Sequence, residues 1–254
     1  MRIARRLSTH PRCVTFLFIE TAGIERALGH APALVSGLPR AALLETSVID
    51  KSFWILIGEP AMWALTISSY LLGAIPFGYL MVRWKTGADI RSQGSGNIGA
   101  TNVMRTTGRW AGIVTLLLDI AKGWFAVWIA GRLSHQDLLW MSVAALAVMA
   151  GHAYPVFLGF KGGKAVASFV GAFLCLTPWA LAAEIIVFVV IVMWTRHISM
   201  GSIVGSATFP LAVWLITKLT LPTLAAVIAG AFVIYRHSSN IHRLRAGTEN
   251  RFKL

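Results

Sequence analysis

The feature that most constrains this chain is a stretch of some 22 uncharged residues, from Ala61 to about Val82. A helix rises about 1.5 Å per residue, so this stretch is long enough to cross the roughly 30 Å of hydrocarbon in a bilayer. The whole chain is 56% hydrophobic and only 13% charged, which is far more apolar than a soluble domain of this size. We therefore expect a polytopic membrane protein.

Six further apolar segments follow the first. The run from Val166 to Met193 is too long for one straight span, and Pro178 stands where a turn is expected, so we divide it into two short helices. The predicted fold is all-α, with about seven transmembrane helices joined by polar loops, several of them rich in glycine. After the first helix, the predicted spans are residues 110–131, 138–154, 166–176, 179–194, 203–217 and 221–235.

Basic residues orient this bundle. An odd number of spans places the glycine-rich loops and the C-terminal tail on one side, where the connecting segments hold thirteen Lys and Arg residues. The opposite loops hold two, Arg132 and Lys218. Because basic loops stay in the cytoplasm, the glycine-rich loops and the tail are expected to face it. This distribution accounts for the net charge of +13, and no nucleic-acid-binding motif accompanies it, so nucleic acid is not an expected partner.

Residues 1–60 differ from the rest of the chain. They hold seven basic and five acidic residues and no long apolar run, so we interpret them as a non-membrane extension. Met62 is the first methionine after Met1, which suggests the hypothesis that translation naturally starts there and that the extension is a start-site artefact. An intact mass matching residues 1–254 in protein made from the native gene would contradict it. Residues 61–254 are expected to form a single transmembrane domain.

The loop Gly94–Arg105, with the sequence GSGNIGATNVMR, is the first candidate site. Its glycines allow successive backbone N–H groups to point into one concavity, which suits an oxyanion or a phosphate, and its terminal arginine adds a bidentate donor. A turn-rich connector is the structural alternative. The candidate binding residues are Gly94, Ser95, Gly96, Asn97, Thr101, Asn102 and Arg105.

The second candidate site is a glycine turn formed by Lys161, Gly162, Gly163 and Lys164, directly before a predicted helix. Free N–H groups and the helix dipole attract phosphate at such a helix N-terminus, and the two lysines add charge. The turn is not a nucleotide-binding P-loop, because its glycine spacing fails and Ala165 stands where Ser or Thr would hold magnesium.

The C-terminal tail is the third candidate site. His237 and Asn240 lie one helical turn apart, and Glu249 follows. A plain basic anchor for anionic lipid head groups would explain the tail's arginines but not this spacing. A smaller fourth candidate is Ser202, which follows Gly201 at a predicted helix start.

Two charged residues lie inside the second predicted span. Asp119 and Lys122 share one helix face, so they either neutralise one another or act directly in catalysis, and we favour structural pairing. The two cysteines, Cys13 and Cys175, lie far apart in contrasting surroundings. We expect neither a disulfide, nor a metal site, nor a cofactor.

Taken in order on this membrane scaffold, the segments GSGNIGATNVMR, GFKGGKAVAS and RHSSNIHRLRAGTEN resemble the three signature motifs of bacterial acyl-phosphate:glycerol-3-phosphate acyltransferases. The resemblance runs from about Ala61 to the C-terminus. It implies transfer of a fatty acyl group from acyl phosphate to the 1-hydroxyl of glycerol 3-phosphate, giving lysophosphatidic acid and phosphate. This would be the first acylation step of phospholipid synthesis, at the cytoplasmic face of the bacterial inner membrane.

The resemblance also implies roles for individual residues. The family's essential serine and arginine fall on Ser95 and Arg105, and the third motif's His, Asn and Glu fall on His237, Asn240 and Glu249. The second motif, Lys161 to Lys164, corresponds to the family's phosphate-binding loop. This chain departs from the family pattern with Ala165 in place of Gly and Ser168 in place of Thr. The implied partners are the two substrates, membrane lipid and transiently an enzyme that produces acyl phosphate, and we expect a monomer.

The chemistry fits these residues independently of the resemblance. An acyl phosphate is already activated, so its attack by an alcohol requires positioning and charge stabilisation more than a catalytic nucleophile. Two phosphorylated substrates require two anion sites. The base is either His237 or the phosphate of glycerol 3-phosphate itself, with Ser95 and His237 as hydrogen-bonding groups, and we favour the second.

Three other classes compete with this interpretation. A transporter for an anionic metabolite would use polar residues at the membrane midplane, whereas here they gather at one face and no inverted repeat is apparent. An acyl-CoA-dependent acyltransferase would carry a histidine with an aspartate five positions on, and this chain has none. A structural lipid-binding protein would tolerate Ser95→Ala and Arg105→Ala.

Overall fold

The computed structural model describes residues 60–251, and these residues form α-helices and short 3₁₀ turns without a strand. The predicted extension therefore lies outside the described residues, apart from Pro60. Turns of 3₁₀ type occupy Ile90–Ser92 and Val156–Leu158. The α-helices are α1 (Pro60–Ala74), α2 (Phe77–Thr86), α3 (Ala100–Thr107), α4 (Arg109–Leu133), α5 (Leu138–Ala153), α6 (Val166–Leu176), α7 (Pro178–Thr195), α8 (Ile198–Thr217), α9 (Thr220–Arg236) and α10 (Ser238–Arg245).

The all-helical class of membrane protein is confirmed, but the number of spans is not. Six of the seven predicted segments each coincide with one helix, and the first is divided between α1 and α2. Five segments between residues 60 and 251 are long and apolar enough to cross a membrane, or six if α9 and α10, bent by 56°, count as one span. Helix α6 is the predicted span that neither count includes. Its 11 residues rise only about 16 Å, roughly half the thickness of the hydrocarbon.

The first span is broken rather than straight. It runs from Pro60 to Thr86, and α1 ends at Ala74 because Pro76 lacks the N–H that would continue the helical ladder. The carbonyls of Gly73 and Ile75 at this break accept hydrogen bonds of 2.8 and 2.9 Å from Lys122 Nζ in α4. A polar group at membrane depth is thereby satisfied by a neighbouring helix.

Close helix packing holds the short α6 in place. A Cβ atom on Gly171 of α6 would lie 1.9 Å from the carbonyl oxygen of Ile120 in α4, so only glycine permits this approach. On its other side α6 contributes Phe169 and Phe173, whose rings lie 4.9 and 4.8 Å from that of Phe209 in α8. This aromatic cluster joins α6 to α8 and fixes the position of the loop before α6.

Candidate functional site

Contacts bring the second loop, the start of α8 and the tail together at one end of the bundle. The Lys164 ammonium donates to Asn240 Oδ1, and Ser199 at the start of α8 donates to Glu249 Oε1 at 2.9 Å. The positive charge of Arg105, from the first loop, acts on Lys164. The three segments that the sequence singled out thus face one common region.

Asn102 organises the first loop. Its side chain is buried, accepts the Ser95 N–H at 2.9 Å, and donates to the carbonyls of Gln93 and Asn97 at 3.0 and 2.9 Å. Gly94 adopts a φ of +56°, and a Cβ there would lie 2.3 Å from Asn102 Oδ1, so glycine is required on both counts. The amide of Asn102 is therefore occupied in shaping the loop around Ser95.

Ser95, Thr101 and Arg105 of the first loop are exposed, and Gly99 caps the start of α3. The helix begins inside the predicted loop, so Thr101 lies in its first turn and Arg105 one turn later. Gly96 has a φ of +69°, and Asn97 accepts the Gly99 N–H at 2.8 Å, which tightens the turn into the helix. The loop thus presents a hydroxyl group at Ser95 and a guanidinium at Arg105 to solvent.

The second loop differs from the predicted glycine nest. The N–H groups of Gly162 and Gly163 donate to the carbonyls of Ala153 and His152, at 3.2 and 3.1 Å, so they are not free donors for a phosphate. The reason is tight packing: a Cβ on Gly163 would lie 2.2 Å from His152 Nε2, and one on Gly162 would lie 2.3 Å from the His152 carbonyl. These glycines let the loop rest on the end of α5.

Lys164 is the lysine of the second loop whose ammonium contacts the tail, at Asn240. Burial is the main reason that the pKa of Lys164 is lowered to about 8; the positive charges of Arg243, Arg105 and Arg236 act in the same direction, and Glu249 opposes them. Lys161 is exposed. Ala165 follows with a φ of +62° and a buried methyl group, which is a conformation that glycine adopts at less cost.

Glu249 is the centre of the third cluster. Its two oxygens accept from Asn240 at 2.7 Å, Ser199 at 2.9 Å and Arg243 at 2.7 Å. Burial raises the pKa of Glu249, but these hydrogen bonds outweigh it, so the pKa lies below the usual value and the carboxylate stays ionised. Asn240 is thereby held between Glu249 and Lys164, with its oxygen toward the ammonium.

His237 stands at the junction of α9 and α10 and is buried. Its Nδ1 lies 2.8 Å from the Val233 carbonyl, which accepts a hydrogen only if Nδ1 carries it. The other nitrogen, Nε2, is then the acceptor of the neutral ring. Among the described residues Glu249 makes no hydrogen bond to His237; its partners are Ser199, Asn240 and Arg243.

The smaller site predicted around Ser202 is wrong in its geometry. Helix α8 begins at Ile198, five residues before the predicted start at 203, because only Arg196 and His197 interrupt the helices there. Ser202 is therefore inside the helix, and its hydroxyl donates to the Ile198 carbonyl at 3.1 Å. Ser199, in the first turn of α8, contacts the third cluster instead.

The charged pair in the membrane supports the structural alternative. Lys122 and Asp119 are buried with 2.8 Å between Nζ and Oδ1, and Lys122 also binds the carbonyls at the break of the first span. His152 Nδ1 lies 3.5 Å from the same Asp119 oxygen. His152 also packs against Gly163, so the group formed by Asp119, Lys122 and His152 contacts the second loop.

Four residues near the site were missed from the sequence. Ser199 was assigned to a loop, His152 appeared to be an apolar-span residue, and Arg236 and Arg243 were counted only as tail charges. The available signal was position: Arg236 directly precedes His237, and Arg243 follows Asn240 by three residues on α10. Between residues 60 and 251, no group of three or more His, Cys, Asp or Glu residues has the arrangement of a metal site.

Comparison with known proteins identifies a matching family and relatives of similar sequence. The family model described as glycerol-3-phosphate acyltransferase matches residues 63–247. The glycerol-3-phosphate acyltransferase of Geobacter sulfurreducens is 47% identical over 189 residues, which cover 74% of this chain and 96% of the relative. The protein of the same description from Bordetella pertussis is 42% identical over 197 residues, which cover 74% of this chain and 90% of the relative.

Two solved structures share the fold. Both are crystal structures of PlsY, described as an integral membrane glycerol 3-phosphate acyltransferase. The glycerol 3-phosphate form is 38% identical with a TM-score of 0.73, covering 76% of this chain and 96% of that chain. The lysophosphatidic acid form is 36% identical with a TM-score of 0.71 and covers the same shares, 76% and 96%.

Proposed function

Because the chain belongs to the glycerol-3-phosphate acyltransferase family, we propose that it transfers a fatty acyl group from acyl phosphate to the 1-hydroxyl of glycerol 3-phosphate. The products are lysophosphatidic acid and inorganic phosphate. The reaction takes place at the cytoplasmic face of a bacterial inner membrane. The solved relatives support the acceptor and the product, since their forms are described as the glycerol 3-phosphate form and the lysophosphatidic acid form.

The observation that carries the proposal is the clustering of cations from three segments around one region. The positive charges of Arg105, Arg236 and Arg243 each act on the Lys164 ammonium, and Glu249 is the acidic residue that acts on it. Glu249 is occupied by Asn240, Ser199 and Arg243. The remaining positive charge suits two phosphorylated substrates, because each brings a phosphate that needs compensation.

The chemistry requires little more than positioning. In the proposed step the 1-hydroxyl oxygen of glycerol 3-phosphate forms a bond to the acyl carbon, and the bond from that carbon to the phosphate oxygen breaks. The electron pair leaves with phosphate, a good leaving group, so Ser95 serves as a hydrogen-bonding group and not as a nucleophile. Arg105 and Lys164 stabilise the phosphate charges.

The hydroxyl proton passes to the phosphate of glycerol 3-phosphate. His237 contributes a hydrogen-bond acceptor through Nε2, since its Nδ1 is held by the Val233 carbonyl. Asn240 and Glu249 hold Lys164 in place, while Thr101 and Lys161 contact substrate from the exposed rims of their loops. His237 as the general base is the alternative route for the proton.

The test is an assay of purified protein in detergent or lipid with acyl phosphate and labelled glycerol 3-phosphate, beside acyl-CoA and acyl carrier protein as donors. We expect lysophosphatidic acid from acyl phosphate alone. Ser95→Ala and Arg105→Ala should abolish most of it, whereas Arg132→Ala, on the opposite side of the bundle, should not. Product from acyl-CoA but not from acyl phosphate would overturn the proposed donor.

A further inference from the structure

We propose that Arg236 is a positioning residue that holds the second loop so that Lys164 reaches the phosphate of a substrate. The inference rests on the proposed function and adds a residue to its site. Arg236 ends α9 directly before His237, yet its side chain donates its hydrogen bonds to the second loop. It therefore connects two of the three segments that form the site.

Three hydrogen bonds carry the inference. Arg236 Nε donates to the Gly163 carbonyl at 3.1 Å, and Nη2 donates to the carbonyls of Gly163 and Gly162 at 2.9 and 3.2 Å. The N–H groups of the same two glycines bind carbonyls at the end of α5. Both glycines are thus bound through their N–H and their C=O, and Lys164 follows them in the chain.

The guanidinium is itself fixed in orientation. It lies 4.8 Å from the ring centroid of Tyr154, and the Tyr154 carbonyl accepts a hydrogen bond of 2.6 Å from the Tyr70 hydroxyl in α1. The ring of Tyr154 also packs edge-on against Phe232, one turn before Arg236 on α9. The planar guanidinium, held over this ring, presents its Nε and Nη2 donors together to the loop carbonyls.

A lysine cannot replace this arrangement. Its ammonium retains the positive charge but not the planar fork that donates to two carbonyls while it lies over a ring. The substitution Arg236→Lys therefore separates two roles. If Arg236 acts only as a charge near the substrate, lysine restores activity; if it positions the loop, lysine does not.

The experiment compares Arg236→Lys, Arg236→Ala and the matched control Arg245→Ala, which removes an exposed arginine from the same tail. Steady-state kinetics with acyl phosphate and glycerol 3-phosphate are combined with melting temperatures, so that activity is expressed per folded protein. We expect both Arg236 variants to lose about 10- to 100-fold in kcat/KM, as misplacement of a binding group does. Arg245→Ala should stay within about twofold of the wild type.

A double-mutant cycle with Lys164→Ala provides the decisive readout. If Arg236 acts through Lys164, the double variant Arg236→Lys with Lys164→Ala is no less active than Lys164→Ala alone. Multiplicative losses, or full activity of Arg236→Lys, would overturn the inference and leave the proposed function standing. A wild-type protein without activity toward acyl phosphate would refute the proposed function, and the inference with it.

Discussion

Lys164 is the site residue whose charge depends most on pH near neutrality. Burial lowers its pKa to about 8, so the free protein carries the ammonium below that pH and loses it as the pH rises through 8. We expect kcat/KM, which reports ionisations of the free enzyme, to fall above about pH 8 because an anion site loses its cation. The measurement is kcat/KM for each phosphorylated substrate between pH 6 and 9.5.

Replacing Lys164 with arginine tests whether Lys164 is the group that titrates near pH 8. Arg stays protonated at every accessible pH, so Lys164→Arg should lower kcat/KM through its altered shape but remove the decline above pH 8. Lys161→Arg is the matched control, because Lys161 is exposed in the same loop. An unchanged alkaline decline in Lys164→Arg would show that another group titrates.

Asn102 provides a second prediction at the residue scale. Asn102→Ala removes three hydrogen bonds, one from the Ser95 N–H and two to the carbonyls of Gln93 and Asn97. Each hydrogen bond contributes about 0.5–1.5 kcal/mol, so we expect a lower melting temperature and a loss of at least tenfold in kcat. Asn102→Asp keeps the acceptor and loses the donors, so its melting temperature and kcat should lie between those of the wild type and of Asn102→Ala. A variant Asn102→Ala with wild-type kcat and melting temperature would contradict this role.

Residue types predicted which positions contribute to the candidate site better than they predicted what each residue contacts there. The sequence placed Ser95, Arg105, Lys164, Asn240 and Glu249 among the candidates, and the structure brings their segments together. It assigned Gly162 and Gly163 to a phosphate nest because glycine next to a helix start is typical of one. Their N–H groups instead donate to carbonyls at the end of α5, which lie in the predicted span to residue 154 rather than in the loop, and no local sequence pattern indicates this contact.

At the scale of elements, the Asp119–Lys122 pair joins α4 to the break of the first span. Lys122→Met leaves Asp119 buried without its ammonium and removes the hydrogen bonds that Lys122 donates to the carbonyls of Gly73 and Ile75. Breaking a buried ion pair from one side costs about 3–5 kcal/mol, so we expect a clear decrease in melting temperature in detergent. Arg132→Met, at the exposed end of the same helix, is the control.

The double variant Asp119→Asn with Lys122→Met tests whether Asp119 and Lys122 form a structural pair or act directly in catalysis. Removing both charges should recover part of the stability lost in Lys122→Met, because no uncompensated charge stays buried. A Lys122→Met protein that melts like the wild type but is inactive would instead indicate a direct catalytic role for the lysine.

Helix boundaries show where sequence patterns succeed and where they fail. The ends of α4, α5, α6 and α9 were predicted within one or two residues, because proline, glycine and charged residues interrupt the apolar runs there. The start of α8 was misplaced because Ser199 and Ser202 resemble loop residues in sequence. In the structure the hydroxyl of Ser202 binds the helix backbone, and that of Ser199 binds Glu249, which lies 50 positions away along the chain.

At the scale of the whole molecule, the second loop and the start of α8 lie at the same end of the bundle as the tail. Helices α6 and α7 form a pair whose outer ends both lie near the tail: Lys164 before α6 contacts Asn240, and Ser199 after α7 contacts Glu249. The pair of α6 and α7 therefore returns the chain to the face that it leaves after Lys164. Counting apolar stretches cannot reveal this, because a half-length helix packed on α4 has the same composition as a full span.

The orientation of this face is a prediction that labelling can test. In a variant without Cys13 and Cys175, single cysteines are introduced at Ala246 in the tail and at His135 in the turn between α4 and α5, both exposed. The positive-inside rule predicts that a membrane-impermeant maleimide labels Ala246→Cys only in inverted vesicles and His135→Cys only in intact spheroplasts. Labelling of Ala246→Cys from outside would place the cationic site on the wrong side for soluble cytoplasmic substrates. The charge asymmetry would then reflect binding of anionic ligands rather than topology.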